Sequence, residues 1–197
     1  MHQRWIEPIV LLGKHATLEP MNARHVEGLK AAARDGQLWK LWYTSIPAPE
    51  ATLRWIERAL RNRDERAEMP FVIHEHKTNK VIGSSRFMNV DERNRRLEIG
   101  HTWYANTYQR TAMNTECKLL MLTHAFEQLN AIAVEFRSHF MNHASRKAIE
   151  RLGARQDGIL RNHQINPEGG YRDTVVYSII ESEWPVVKTH LHYLLGE

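Results

Sequence analysis

The feature that most restricts the fold is the passage from residue 96 to residue 140, where a strand pattern, a helix pattern and a second strand pattern follow one another. Arg96–Tyr104 and Ile132–Phe140 alternate apolar and polar side chains, as half-buried strands do. Between them, apolar residues recur at helical spacing over Thr115–Leu129. A strand–helix–strand unit of this kind is the usual connection between parallel strands. We therefore expect parallel pairing at this point of the sheet.

The other segments surround this unit with helices and antiparallel strands. Helices are expected over Asn22–Asp35, Ala51–Glu65, Ala144–Leu152 and a final segment that Ser182 caps. Strands are expected over Val10–Glu19, Phe71–His76, Val81–Asn89, Ile159–Ile165 and Thr174–Ile180. Short turn-like segments separate several of these strands, and a turn at residues 166–170 (Asn-Pro-Glu-Gly-Gly) separates the last two. The pattern predicts an α/β (α+β) fold with a central mixed, mostly antiparallel, seven-stranded sheet and helices on both faces.

Length and composition exclude several classes of protein. The chain has 197 residues, of which 42% are apolar and 25% charged, so we expect one globular domain over residues 1–197. Its apolar runs are far shorter than the roughly 20 residues that a membrane span needs, and the N-terminal segment lacks the pattern of a signal peptide. A single cysteine, Cys117, excludes an internal disulfide and a cysteine-based zinc site. These features favour a cytoplasmic protein without a membrane partner.

The charge of the chain gives little support to nucleic-acid binding. The formal net charge is only +4, and the arginines alternate with acidic residues. Such a pattern is typical of a solvated helix face or a charged turn. The sequence pI of about 9.3 alone would favour a nucleic-acid partner, but no recognition-helix or aromatic-platform motif accompanies it. We therefore expect no nucleic-acid partner.

Two local patterns point to chemistry. A polar loop at Ala105–Asn114 joins a strand to the long helix, and free backbone N–H groups at a helix N-terminus attract anions. The sequence Asn-His-Ala-Ser at residues 142–145 begins a short helix that Gly153 ends. Taken singly, each pattern also describes an ordinary connection with a capped helix.

Together and in this order, the segments resemble the GNAT family of acyl-CoA-dependent N-acetyltransferases, in the branch of the ribosomal-protein acetyltransferases RimJ and RimL. The resemblance extends from about Lys14 to Pro185. It is carried by HATLEPMNARHVEGL, RRLEIGHTWY, QRTAMNTECKLLMLTHAFE, NHASRKAIERLGARQDG and RDTVVYSIIESEW. It implies the GNAT fold, in which a splayed strand pair holds acetyl-CoA. It also implies direct transfer of acetyl to a primary amine, either a protein N-terminus or a small molecule, with no metal. Family members of this type are often homodimers.

The cofactor loop departs from the family pattern, which is usually written Q/R-x-x-G-x-G/A. Gln109 matches the first position, but Ala112 and Asn114 stand where the family has glycine and then glycine or alanine. Alanine adopts positive φ less readily than glycine. Asparagine tolerates unusual dihedral angles and can cap a helix. An alternative interpretation is therefore a degenerate module that binds acyl-CoA or a partner protein without turnover.

The resemblance also implies which residues contact acetyl-CoA. Backbone N–H groups of Arg110–Thr115 would hold the pyrophosphate, with Arg110 adding charge. The pantetheine arm would pair with the backbone at Thr102–Tyr104, where a bulge lets an N–H group polarise the thioester carbonyl. The implied contacts are Thr102, Trp103, Tyr104, Gln109, Arg110, Thr111, Ala112, Met113, Asn114, Thr115, Asn142 and Ser145.

Glu98 and Ser145 are the catalytic candidates that the resemblance implies. Glu98 lies on the strand that leads into the bulge and would deprotonate the amine; alternatively, it is a structural carboxylate that is paired with an arginine or faces solvent. His101 is a second candidate base, but it points to the opposite face of a regular strand unless the bulge redirects it. Ser145 would hydrogen-bond to or protonate the leaving thiolate, or else only bond at the helix start. Cys117 and Tyr177 are expected to be packing residues.

The acceptor pocket should be built from the variable segments Leu38–Pro49, Phe71–His76 and Leu160–Tyr171. An aromatic wall from Trp39, Trp42 and Tyr43 is one possibility there, and simple loop packing is the other. The histidines that the sequence offers as ligands show no metal-binding spacing; they are His74, His76, His139, His143 and His163.

Overall fold

The computed structural model describes residues 5–65, 67–166 and 169–197. Eight strands form one sheet in the order β1-β2-β3-β4-β5-β6-β8-β7. The strands are β1 (Leu11–Leu12), β2 (Ala16–Pro20), β3 (Glu68–Glu75), β4 (Lys80–Asp91), β5 (Arg96–Tyr104), β6 (Ala133–His139), β7 (Arg155–Ile165) and β8 (Tyr171–Ile180). The helices are α1 (Val26–Arg34), α2 (Thr52–Asp64), α3 (Met113–Thr123), α4 (His143–Arg151) and α5 (Trp184–Leu195). The predicted turn at residues 166–170 includes Pro167 and Glu168, which lie outside the described residues.

The pairing confirms the mixed, mostly antiparallel sheet. Strands β5 and β6 are parallel, with α3 as their crossover, and the other neighbouring strands are antiparallel. The sheet has eight strands rather than seven because the predicted strand Val10–Glu19 turns back on itself. Gly13 donates its N–H to Ala16 O at 2.9 Å. The buried Glu116 carboxylate of α3 accepts the N–H of Lys14 at 2.7 Å, which holds this turn against the helix.

Helices cover both faces of the sheet, as expected. Leu29 of α1 and Ile56 of α2 are fully buried in one apolar cluster, together with Trp103. Leu122 of α3 and Leu191 of α5 are buried in a second cluster on the opposite face. Each such side chain contributes about 1.5–3 kcal/mol by leaving water. Within the described part of the chain, every helix is too short or too polar to cross a membrane.

Several helix boundaries differ from the predicted ones. Asn22 does act as a cap, accepting from Arg24 N at 3.1 Å, but a 3-10 turn precedes α1. The long helix begins at Met113 and continues after Thr123 as a π-helical turn. Ser182 does not cap the last helix, because it lies inside a 3-10 turn that precedes Trp184.

Candidate active site

The centre of the sheet opens where β5 and β6 part. The two strands pair only from Arg96 to Glu98 on β5, opposite Ala133–Glu135 on β6. Beyond this point β5 follows β4 and β6 follows β8, up to Tyr104 and His139 respectively. The facing edges of the two strands therefore lack partner strands among the described residues, and their N–H and C=O groups can bind an extended ligand. This is the predicted splayed strand pair.

A β-bulge lies on the β5 wall of this opening. Ser84 pairs with Trp103 and Arg86 pairs with Gly100, so β5 contains one more residue than β4 over this stretch. His101 takes up the extra residue with a φ of 47°. The bulge reverses the alternation of side chains beyond it. Trp103 accordingly packs in the cluster of α1 and α2, whereas Ile99 packs in the cluster of α3.

The bulge also settles the direction of His101. Its Nδ1 atom lies 3.3 Å from Ser45 Oγ, in the loop between α1 and α2. Burial and the charge of Arg86 lower the pKa of His101 to about 4. Arg86 pairs with Gly100 on the face of the sheet that carries Glu98. His101 thus lies on the same side as Glu98, and its ring is neutral at pH 7.

Glu98 lies at the vertex of the opening. Its side chain is 5% exposed and accepts a hydrogen bond from Asn89 Nδ2 at 2.7 Å. Arg137 Nε lies 3.4 Å from the same carboxylate oxygen. Burial raises the pKa of Glu98 above its usual value, although Arg137 and the Asn89 bond act in the opposite direction. Glu98 therefore is paired with an arginine and still has the raised pKa that suits a general base.

The loop between α1 and α2 forms one wall beside this centre. The Trp42 ring lies 5.0 Å from the His139 ring in an edge-on arrangement, and Tyr43 contacts both rings. Trp39 instead packs against the α1–α2 cluster. The aromatic wall therefore contains Trp42 and Tyr43 but not Trp39.

A neutral histidine faces this wall. His139 Nδ1 accepts the N–H of Met141 at 3.0 Å, which assigns the proton of a neutral ring to Nε2. Burial, together with the charge of Arg172, lowers the pKa of His139. His139 Nε2 has no hydrogen-bond partner among the described residues.

Arg172 was missed by the sequence analysis, although it belongs to the same face. It lies on β8 and donates from Nε to Thr174 Oγ1 at 3.1 Å. Its charge lowers the pKa of both His101 and His139, and its own pKa is lowered by burial against the opposing effect of Glu98. The only signal in the sequence is that Arg172 lies two residues before Thr174, the first residue of the predicted last strand.

The cofactor loop adopts a conformation that tolerates the two replaced glycines. Ala112 is the N-cap residue of α3 and has an ordinary φ of −65°. The left-handed residue of the loop is Arg110, with a φ of 60°. Asn114 does not cap the helix, as the sequence had suggested, because it is the second residue of α3. The absence of glycine therefore causes no strain at either position.

The start of α3 fits an anionic ligand. Gln109 Nε2 donates to Tyr104 O at 3.0 Å, which ties the loop to the end of β5, and Thr111 Oγ1 donates to Tyr108 O at 2.7 Å within the loop. In the described residues, the N–H groups of Asn114 and Thr115 meet no acceptor. The Thr115 hydroxyl accepts from Arg151 of α4 at 2.7 Å. Free N–H groups at this end can bind a pyrophosphate.

The remaining predicted residues lie at the start of α4 and in the two apolar clusters. Asn142 Oδ1 accepts from Ser145 N at 3.0 Å and caps α4, while the described residues give the Ser145 hydroxyl no partner. Trp103 and Tyr104 are buried, so that only their backbone groups can meet a ligand. Tyr177 is also buried, and its hydroxyl donates to Glu150 at 2.9 Å, as expected for a packing residue. Burial raises the pKa of Cys117 to about 12, which leaves the thiol protonated.

The segment Phe71–His76 does not join this site, contrary to the prediction. It lies on β3 up to Glu75, with His76 just after the strand, and His74 belongs to a separate cluster with Glu19 and His25, whose ligand atoms are within 4.8 Å of one another. His25 Nδ1 accepts the N–H of Asn22 at 3.1 Å, so Nε2 of the neutral ring carries a proton toward Glu19. A metal on Nε2 would require a proton on Nδ1, facing that N–H donor. The hydrogen bond to Nδ1 thus does not fit a metal ion on Nε2 of His25.

The geometry agrees with comparisons to known proteins. A family model described as Acetyltransferase (GNAT) domain matches residues 15–155. The chain belongs to this acetyltransferase family. YdaF of Bacillus subtilis, provisionally named a ribosomal N-acetyltransferase, is 32% identical over 104 residues, which are 53% of this chain and 56% of that protein. The chain thus matches little more than half the length of this curated relative.

Solved structures support the same assignment. A protein of T. thermophilus, provisionally described as an acetyltransferase, is 32% identical with a TM-score of 0.84, covering 97% of this chain and 99% of that one. RimJ of Mycobacterium smegmatis, solved in complex with CoA-disulfide, shares the fold, with a TM-score of 0.77 at 20% identity over 95% of this chain and 91% of that one. The resemblance to the GNAT family is therefore confirmed, and the chain shares the fold of RimJ.

Proposed function

We propose that the protein transfers acetyl from acetyl-CoA directly to a primary amine. The observation that carries this proposal is the buried Glu98 carboxylate at the vertex of the splayed strands, beside an edge of β5 that has no partner strand among the described residues. Acetyl-CoA, when bound, supplies the acetyl group as a thioester. Residues of the chain bind it, orient it and move the proton.

The cosubstrate contacts are proposed from the free backbone groups. N–H groups between Arg110 and Thr115 hold the pyrophosphate, and Gln109 fixes the loop by its bond to Tyr104 O. The edge of β5 from Thr102 to Tyr104 pairs with the pantetheine arm. An N–H group at the bulge polarises the thioester carbonyl, because the bulge points backbone donors into the opening.

Glu98 is proposed as the base. An ammonium group cannot attack a thioester, so the amine must first lose a proton. The pKa of Glu98 is raised by burial. Its proton affinity is therefore closer to that of the amine than the proton affinity of an exposed carboxylate is. Arg137 and Asn89 hold the carboxylate in place while it accepts the proton, directly or through a water molecule.

Ser145 is proposed to assist the leaving group. Its backbone N–H is fixed by Asn142, which leaves its hydroxyl as the polar group available at the start of α4. A hydroxyl beside the thiolate can donate a hydrogen bond or a proton as the carbon–sulfur bond breaks.

The acceptor, the assembly and the compartment are each proposed from a separate observation. The name of YdaF favours a protein N-terminus as acceptor, and a small-molecule amine is the alternative. A homodimer is supported by β7, an edge strand that is exposed along almost its whole length and carries Ile159 and Ile165. A cytoplasmic location is supported by the single, buried and reduced Cys117.

The test has two parts. Calorimetric titration with acetyl-CoA, beside CoA that lacks the 3′-phosphate, measures whether the cofactor loop binds. Mass spectrometry of a panel of peptides and small amines, incubated with the protein and acetyl-CoA, measures transfer. Micromolar binding and an acetylated product are expected. Binding without a product in either acceptor class would overturn the proposed transfer and favour a binding module.

A further inference from the structure

Arg172 lies on the face of the sheet that carries the proposed base. Glu98 pairs with Glu135 across the parallel strands, and His139 follows four residues later on the same strand, so these side chains share one face. His139 pairs directly with Thr174 of β8, and Arg172 is two residues from Thr174. Arg172 therefore points to the face of Glu98, and its bond to Thr174 Oγ1 fixes its direction.

The guanidinium of Arg172 differs from the neighbouring arginines. Arg137 pairs with Glu135 at 3.0 Å, Arg86 pairs with Glu68 at 2.7 Å, and Arg161 pairs with Asp173. The described part of the chain offers no carboxylate within 4.0 Å of Arg172, although its side chain is partly buried. An arginine stays charged at every physiological pH, and a partly buried charge without a partner is costly. The position is therefore suited to an anion from outside the chain.

We propose that Arg172 binds a carboxylate that belongs to the acetyl acceptor, so that preferred acceptors carry a carboxylate close to the reacting amine. This inference rests on the proposed function. The acceptor amine faces the negative Glu98, and its carboxylate faces Arg172, which makes the site complementary to a molecule with both charges. A guanidinium can hold a carboxylate by two parallel hydrogen bonds, which also orients the amine.

The loop wall borders the same face of the sheet. Trp42 is 65% exposed, and its ring contacts the ring of His139, which lies on the face that carries Arg172. Two sources could provide the carboxylate: the α-carboxylate of a free amino acid, or an Asp or Glu side chain near the N-terminus of a peptide. The experiment has one arm for each.

The experiment compares matched acceptors at saturating acetyl-CoA. Peptides of equal length that begin Ser-Asp, Ser-Asn and Ser-Lys form one arm, and free amino acids with their carboxamides form the other. In at least one arm, we expect kcat/KM to be about tenfold higher for the acceptor with the carboxylate, mainly through a lower KM. In Arg172→Gln the ratio of kcat/KM between the carboxylate acceptor and its neutral counterpart should fall to about one. Arg172→Lys should keep part of this preference.

The control is Arg161→Gln, which removes an exposed arginine of β7 and should preserve the preference. Thermal unfolding of each variant confirms that it is folded. Equal kcat/KM for charged and neutral acceptors in both arms would overturn the inference and leave the proposed function intact. If no acceptor is acetylated, the proposed function fails, and the inference is then decided by calorimetric Kd values of the acceptors for the protein–CoA complex. Tighter binding of the carboxylate acceptor that Arg172→Gln abolishes supports the inference. Equal Kd values for charged and neutral acceptors refute it.

Discussion

Lys118 provides a prediction whose size can be worked out from its surroundings. Its side chain is 4% exposed, and its ammonium meets the hydroxyls of Thr102 at 2.6 Å and Ser85 at 3.1 Å. Burial lowers the pKa of Lys118 to about 7. Because this value lies below that of the unfolded chain, the unfolded state holds a proton that the folded state has released. The free energy of unfolding should therefore rise with pH above about pH 7.

The size of the rise follows from one titrating group. With a folded pKa of about 7, the gain between about pH 7 and pH 8 is about 1 kcal/mol. Burial lowers the pKa of His101 to about 4, so the folded histidine is neutral throughout this window. The unfolded histidine still releases its last protons there, which adds only about 0.1 kcal/mol to the rise. Burial raises the pKa of Cys117 to about 12. That thiol lowers stability only as the unfolded thiol ionises, which removes about 0.2 kcal/mol by pH 8.

The assay is urea unfolding at the two pH values. A gain of about 1 kcal/mol moves the midpoint upward by about 0.3–1 M urea. Lys118→Met should abolish the rise, because it removes the titrating amine. The variant should still fold, since the Ser85 and Thr102 hydroxyls bond to each other at 2.7 Å. Lys147→Met, which changes an exposed lysine of α4, should retain it. An unchanged rise in Lys118→Met would assign the effect to other groups. No rise in the wild type would mean that the two hydroxyls keep the amine charged, and the reasoning would be wrong.

Three further predictions concern the proposed chemistry. Glu98→Gln should lower kcat about 10²–10⁴-fold and remove the acidic limb of the rate–pH profile, since the base acts only when ionised. Glu135→Gln, which changes a carboxylate on the same face, should retain the acidic limb. Loss of that limb in Glu135→Gln would count against Glu98 as the base. Ser145→Ala should slow transfer without changing the melting temperature by more than a few degrees, whereas a wild-type rate would leave Ser145 as a helix-start residue. Ala112→Gly should not tighten acetyl-CoA binding, because Ala112 needs no positive φ; a large gain in affinity by calorimetry would contradict the loop geometry.

Local sequence pattern was sufficient for the elements that build the site. The bounds of β5 were predicted as observed, because apolar and polar residues alternate regularly over Arg96–Ile99 and turn residues precede them. The crossover helix and the capping Asn142 were also predicted, since spacing and capping act within a few residues. The exception is the first strand, where a contact with Glu116, about 100 residues away in sequence, holds a turn that the local pattern did not reveal.

The composition of the site depended on strand register, which no local pattern contains. Arg172 and His139 are distant in sequence and share a face only because Thr174 pairs with His139. A shift of that register by one residue would turn Arg172 to the opposite face. The sequence could name Glu98 through family resemblance, but the residues that surround Glu98 come from β4, β6 and β8.

The bulge at His101 connects the buried amine of Lys118 with the proposed chemistry. A regular strand would place Trp103 against α3 and Tyr104 against α1 and α2, so the two apolar clusters both resist removal of the extra residue. Lys118 bonds to Thr102, the residue that follows His101, from the α3 side. The buried amine therefore bonds to the residue next to His101, whose left-handed backbone puts the His101 side chain on the face that carries Glu98. This placement is the pattern expected where a destabilising group is retained because it fixes the geometry of a site.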